Sequence, residues 1–374
     1  MQDRLTQISG MARQAVQRRD WPAVHRGAQH LLSIAPENPE GHYLQGLYES
    51  ASRNPVAATA AFEQALVLDD GRYDAAIELA HLYASASRSV DALELVRRYE
   101  SSLENSPRYL DLAATVYSLL ELPASAWPLY QAANRLQPDI DLFQANLAAC
   151  AVYLGDIDKA ESVYQKLLQK HPEHQRNHYH LARLRTATDD RHINSMKQVL
   201  QRSQRSPAQN IFLYYALGKE LEDLEQWEEA FHYYKLGADA AHEVSGYDVQ
   251  TDIAIIDAVI ETCTPDWLAA SSEQAATTPQ PIFVFGLPRT GSTLTERIIS
   301  SHSAVTSVGE TQHLEYLLRA ASGVESASRM SPEIIRAAAN ADLNELAGSY
   351  CHAVSYHLND EPRFLEKLPY NFIY

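Results

Sequence analysis

The feature that most limits how this chain can fold is a 34-residue period. Ala58, Ala92, Ala126 and Ala160 stand 34 residues apart, each at the start of a helical hydrophobic pattern. Gly46, Ala80, Ala114 and Ala148 keep the same interval on the preceding helices, and Phe62, Val96, Tyr130 and Tyr164 follow each marker by four residues. Pro138 and Pro172 close successive units, and Pro36 fits the same series three periods before Pro138. A two-helix unit of this size cannot bury its apolar face alone, so neighbouring units must stack. Small residues let paired helices approach closely, and the bulky ones fill the space between units.

This period and pattern resemble tetratricopeptide repeats. The resemblance implies an all-α solenoid over residues 1–240, with a concave face suited to a protein or peptide partner. The register weakens after residue 182, and residues 186–208 are predicted as an irregular helix and loops. A further unit resumes with Gly218, Ala230 and Tyr234. Its second helix is expected to carry the acidic run Glu222–Glu229, for which a solvated helix face is a simpler account than a basic-peptide site. Tyrosine is abundant, at 21 residues against 8 phenylalanines, and Tyr83, Tyr117, Tyr130 and Tyr164 fall at repeat positions that packing explains. Residues 241–280 read as a helix and linker, with residues 264–280 polar and Pro-containing.

With 374 residues the chain has room for two or more domains. A net charge of −17 argues against general nucleic-acid or anionic-membrane binding. No apolar run approaches the ~20 residues that span a bilayer, and the start, Met1-Gln-Asp-Arg-Leu-Thr6, lacks a signal-peptide core. Cys150, Cys263 and Cys351 suggest neither a disulfide framework nor a zinc site, so a reducing cytoplasm is expected and no metal is invoked.

The chemistry concentrates in Pro281-Ile-Phe-Val-Phe-Gly-Leu-Pro-Arg-Thr-Gly-Ser-Thr-Leu294. Residues 282–285 form an apolar run suited to a buried parallel strand. Gly286 to Gly291 break it, and from Ser292 the pattern is helical, with Leu294, Ile298 and Ile299 as an apolar stripe. Strand, glycine-containing loop and helix start together present N–H groups to a phosphate-like anion, and Arg289 adds charge-assisted bonds. A mononucleotide P-loop would need a Lys that is absent here, and a dinucleotide fingerprint a third glycine. Further on, Ser331-Pro-Glu333 reads as the capped start of one long amphipathic helix carrying Ile334, Ala338, Leu343, Leu346, Tyr350 and Val354.

Leu287-Pro-Arg-Thr-Gly-Ser-Thr293 resembles the 5′-phosphosulfate loop of sulfotransferases, which use 3′-phosphoadenosine 5′-phosphosulfate (PAPS) as donor. The resemblance continues through Leu294–His302, Val308-Gly-Glu310 and Phe364-Leu-Glu-Lys-Leu-Pro-Tyr-Asn-Phe372. With the repeats, the chain resembles a family that joins a tetratricopeptide array to a sulfotransferase domain. The implied architecture is the solenoid followed by an α/β, P-loop-like sulfotransferase domain over residues 281–374, of which the sequence holds about the first half. The segment that binds the donor's 3′-phosphate would then lie outside it. By this resemblance Arg289, Thr290, Gly291, Ser292 and Thr293 bind the phosphosulfate, Glu310 is the general base, and Lys367 stabilises the departing phosphate oxygen. The implied ligands are PAPS and its product 3′-phosphoadenosine 5′-phosphate (PAP). Glu310 also suits a helix N-terminus, where the dipole favours a carboxylate, and His313 is the other candidate base. A non-catalytic repeat scaffold with an inert C-terminal remnant is the alternative function, and a P-loop kinase or hydrolase is disfavoured by the missing Lys.

Overall fold

In a computed structural model of the chain, residues 2–202, 205–271, 279–326 and 329–373 are described. Part of the expected linker, residues 272–278, lies outside them. The array begins with α1 (Gln2–Arg18), α2 (Trp21–Ile34), α3 (Pro39–Ala51), α4 (Pro55–Leu68), α5 (Tyr73–Ser85), α6 (Ser89–Tyr99) and α7 (Pro107–Leu119). It continues with α8 (Pro123–Leu136), α9 (Asp141–Tyr153), α10 (Ile157–Lys170), α11 (Gln175–Leu184), α12 (Arg191–Arg202), α13 (Ile211–Asp223) and α14 (Trp227–Ser245).

The 34-residue interval survives as helix geometry. Second helices start at Trp21, Pro55, Ser89, Pro123 and Ile157, and first helices at Pro39, Tyr73, Pro107 and Asp141. Asp20, Asn38, Asn54 and Asp156 cap helix starts by accepting a backbone N–H three residues on, and Pro at the first helical turn needs no partner for its missing N–H. In five of the repeats the turn joining the two helices places one residue in the left-handed region, at Arg19, Arg53, Ser87, Glu121 and Gly155. The marker alanines are fully buried. A methyl group on Gly46 would sit 2.5 Å from the Phe62 ring, so only glycine admits that ring at its present depth.

The register runs further than its sequence markers. Helices α11 and α12 begin at Gln175 and Arg191, each 34 residues after its counterpart, so residues 186–208 hold a regular second helix where an irregular helix and loops were expected. The marker slot there is Asn194, four residues before Gln198, and Ile193 and Met196 bury instead. The run Glu222–Glu229 does not lie on one helix. It spans the end of α13, a turn and the start of α14. Asp223 accepts from Lys219, Glu222 from Tyr234, and Glu229 pairs with Lys197.

The chain forms two compact units, Met1–Leu122 with Thr251–Tyr374, and Pro123–Gln250. In the second, Ala148, Ala151, Ala160, Tyr164 and Leu167 form one core and Ile193, Met196, Leu213 and Leu217 belong to another. His192 ties α12 to both neighbours, with its ring nitrogens 2.8 Å from His178 on α11 and 2.6 Å from Glu220 on α13. The boundary drawn from sequence at residue 240 falls within α14.

The first unit combines α1–α7 with the C-terminal part of the chain. There α15 (Val249–Thr262) and α16 (Pro265–Ser271) precede β1 (Gln280–Val284), α17 (Ser292–Ser300), β2 (Val305–Gly309) and α18 (His313–Ser322). Then follow α19 (Pro332–Ala338), α20 (Leu343–Val354) and β3 (Arg363–Lys367). The strands form a parallel sheet in the order β1-β3-β2. On α15, Ile255 and Ala258 share a core with Met330, Ile334 and Ile335, and the Trp267 indole donates to Ala339 O at 3.0 Å. The expected long helix is two helices, because Asp342 caps a new start at Leu343. Ile334, Ala338, Tyr350 and Val354 are nonetheless buried as expected. Leu294 and Ile298 of the apolar stripe are 66% and 64% exposed, which puts their side of α17 in solvent. No helix among the described residues is long and apolar enough to cross a membrane.

Candidate functional site

The segments that carry the sulfotransferase resemblance meet at one edge of the sheet. In a parallel sheet the C-terminal ends of all strands lie on the same side, where ligands of open α/β folds bind. The loop after β1, Glu310 after β2 and Lys367 at the end of β3 all lie there. A hydrogen bond from Gly286 N to Pro369 O, at 3.1 Å, joins the first loop to the segment after β3.

Within that loop Arg289 has φ 69° and Gly291 φ 92°. Glycine takes the second value without strain, whereas an arginine in the left-handed region is uncommon and costs energy. Gly291 is the N-cap of α17, and no side chain caps that helix start, so its first N–H groups point out of the helix without a side-chain acceptor. The Thr290 hydroxyl donates to Leu287 O at 2.7 Å and so braces the loop. Arg289, Thr290, Gly291 and Thr293 are exposed and Ser292 is half-buried. Among the described residues Arg289 makes no ion pair, which removes the ordinary surface-pair explanation for it.

Glu310 and Lys367, 57 residues apart in sequence, are in direct contact, the ammonium donating to Glu310 Oε1. The local path of β2 brings this about. Gly309 pairs with Glu366 after a register irregularity beyond Ser307, and its φ of +77° demands glycine. Lys367 is buried, with 6% of its side chain exposed, while Glu310 keeps 51% in solvent. Glu296 of α17 stands on the other side of the ammonium, its Oε2 4.0 Å from Lys367 Nζ, and its Oε1 accepts from Ser307 Oγ at 2.6 Å.

Beneath this pair lies a second buried carboxyl. Glu366 is fully buried on β3, accepts from Thr311 Oγ1 at 2.5 Å and from the Tyr350 hydroxyl, and receives Asn371 Nδ2 at 3.4 Å. Burial pushes its pKa up, and the hydrogen bonds oppose that rise. His313, one turn beyond Glu310, is buried with neither ring nitrogen hydrogen-bonded, and Nε2 of His357 is likewise unpartnered. Burial lowers both imidazoles to about 4, so each is neutral near pH 7, when one ring nitrogen lacks a proton and is free to accept one. Neither touches Lys367 or Glu310 by a hydrogen bond among the described residues.

The residues named from sequence thus fall into a touching pair, Glu310 and Lys367, and a loop group, Arg289 to Thr293, on the same sheet edge. Sequence reasoning passed over Glu296, Thr311, Tyr350 and Glu366. Glu296 had a detectable signal, since it stands one turn after Ser292 and on the same face of α17. Thr311, Tyr350 and Glu366 come together only through the sheet and α20, which no spacing reveals.

Residues 281–374 match the family model described as "Sulfotransferase family". An uncharacterized protein of Aquifex aeolicus (strain VF5) is 30% identical over 164 residues, covering 43% of this chain and 22% of that protein. The chain therefore spans about a fifth of the length of the curated relative it matches. Similar solved structures include PilF of Pseudomonas aeruginosa, with TM-score 0.46 and 14% identity over 60% of this chain and 98% of that one. A tetratricopeptide repeat protein of Parabacteroides merdae ATCC 43184 gives 0.44 and 15% over 63% and 93%. The helix pairs recurring every 34 residues, followed by the matched segment, make this chain a tetratricopeptide-type array joined to a sulfotransferase-family region at residues 281–374.

Proposed function

We propose that the chain transfers a sulfuryl group from PAPS to an acceptor hydroxyl or amine. The observation that carries this reading is the meeting of Arg289 to Thr293, Glu310 and Lys367 at the C-terminal edge of a parallel sheet. The loop fits a phosphosulfate chemically, because it carries the Arg289 guanidinium, which makes no ion pair among the described residues, the Ser292 and Thr293 hydroxyls, and N–H groups at the start of α17 that no side chain caps. When bound, PAPS supplies an activated S–O bond whose cleavage leaves the charge on a phosphate oxygen. Arg289 and the start of α17 hold the phosphosulfate. Lys367 places its ammonium where charge develops on the departing oxygen. Glu310, exposed enough to meet an acceptor, removes the acceptor's proton as the new bond to sulfur forms. Catalysis then rests mainly on alignment and charge, as in phosphoryl transfer.

The division of labour follows the segments 1–240, 241–280 and 281–374, with the array binding the acceptor or a protein partner. A groove of about 360 Å³ in the second unit, lined by Val152, Tyr153, Tyr164, His180, Arg183 and Leu184, supports a peptide ligand, since Tyr153 is 74% exposed there. A cytoplasmic setting accords with the free thiols of Cys150, Cys263 and Cys351.

Calorimetry with PAP tests the reading. Saturable binding by the full chain is expected, with ATP a weak competitor, and Arg289→Ala should weaken it at least ~10-fold, the usual size for one charge-assisted contact. A folded chain that binds no PAP would leave the repeat scaffold as the surviving account.

A further inference from the structure

The second unit carries guanidiniums that no carboxylate claims. In the first unit Arg13, Arg72, Arg88, Arg98 and Arg108 each lie over a tyrosine ring and also pair with a carboxylate. On α11, Arg176 lies 5.0 Å from the centroid of the Phe212 ring and Arg183 5.2 Å from that of Tyr179. Both arginines are exposed, and among the described residues neither makes an ion pair. Arg183 Nη1 donates to the Tyr179 hydroxyl at 3.2 Å, which helps to fix its place. Stacking covers the face of a guanidinium and leaves its N–H edge turned outward, the arrangement that grips a carboxylate.

Arg183 also lines the groove of about 360 Å³ that holds Tyr153, Tyr164 and His180. The Tyr164 and His180 rings stack with centroids 5.4 Å apart and planes 15° from parallel, and Tyr153 and Leu184 add apolar surface beside them. No carboxylate lines this groove among the described residues. Asp158 and Glu161 on α10 are both engaged by Arg185. In a chain of net charge −17 such a patch has the opposite sign to the whole, and an acidic ligand is its electrostatic complement. Arg176 and Arg183 share one face of α11 and are separated by a rise of ~10 Å along it.

We infer that this groove binds an extended protein segment with two carboxylates about three residues apart, the spacing that covers that rise. A large apolar side chain of the same segment packs on Tyr153 and the Tyr164–His180 stack. This rests on the reading above that the array binds a partner, and it names that partner's chemistry.

Selection of a random-peptide display library on the full chain tests the inference. Enriched peptides should combine an acidic pair with an aromatic or long aliphatic residue, and synthetic copies should bind less tightly as salt rises. Arg183→Gln should weaken them about 10-fold, and Arg176→Gln somewhat less. Tyr153→Ser, at a side chain 74% exposed and so outside the core, should weaken them about fivefold. Arg183→Glu should abolish their binding, whereas Arg191→Gln, at an exposed arginine outside the groove, should leave it unchanged. Enrichment of neutral or basic peptides, or of acidic ones that bind Arg183→Glu equally well, overturns the inference and leaves the array's role as a partner site intact. A folded chain that enriches no peptide overturns both. Self-association of the chain that Arg183→Glu abolishes would assign the groove to a second copy instead.

Discussion

Two charge clusters in the first unit follow opposite rules. In the array Arg13 and Arg72 engage Glu40 and Asp74 at 2.7 to 3.4 Å, and Arg108 pairs with Glu78 at 2.5 Å, so three guanidiniums meet three carboxylates. Arg72 also lies over the ring of buried Tyr43, 4.6 Å from its centroid. At the sheet edge the Lys367 ammonium meets two carboxylates, Glu310 and Glu296, while Arg289 makes no ion pair among the described residues. A balanced, half-buried cluster returns much of its desolvation cost through its own pairs. An unbalanced one does not, and it keeps charge ready for another molecule. The first arrangement holds helices together, and the second is what a site for a charged ligand requires.

Disturbing each cluster should separate these roles. Arg72→Met leaves Glu40 and Asp74 to share Arg13, so a loss of about 2 kcal/mol is expected, seen as a lower urea midpoint for the first unit. Acid should act next most strongly, and on the sheet side. His313 and His357 have pKa values lowered to about 4 in the folded chain against 6.5 ordinarily. Groups lowered in this way favour the fold above pH 6.5, and their contribution is lost as pH falls toward 4, because the unfolded chain binds the extra protons. A weakening of about 2 kcal/mol is expected between those limits, measured by amide hydrogen exchange in α18, and His313→Leu should flatten the slope. The smallest effect belongs to Glu296→Gln. Removing one of two carboxylates around a single ammonium should cost nothing or stabilise by up to about 1 kcal/mol, whereas the same loss of charge in the array, Asp74→Asn, should destabilise. Equal losses from the two substitutions would end the distinction.

The sequence made the array legible because repetition multiplies a weak signal. Four aligned alanines fix a register that one alanine cannot. That register was lost at Asn194 and Gln198, where Ile193 and Met196 took over the packing and α12 read as an irregular helix with loops. In the site, the residues that sequence could group were those on short continuous segments, from Arg289 to Thr293, with Glu310 and Lys367 each at a strand end. Glu366, Tyr350 and Thr311 were invisible because their partnership is made by β3 lying between β1 and β2, and sequence pattern did not give that strand order. The turn that joins paired helices was hard to read for a related reason, since it repeats with varying residues, from Arg19 and Arg53 to Ser87, Glu121 and Gly155.

That variation has a consequence for how the array stores information. Folding is written in the helix faces, where Ala, Gly and aromatic residues recur on schedule. The left-handed turn between paired helices accepts arginine, serine, glutamate or glycine with the same backbone course. Such a position is a blank in the folding code, open to any message the surface has to carry. A combinatorial library at residues 19, 53, 87 and 121 would rewrite that message and leave the scaffold's own text unchanged.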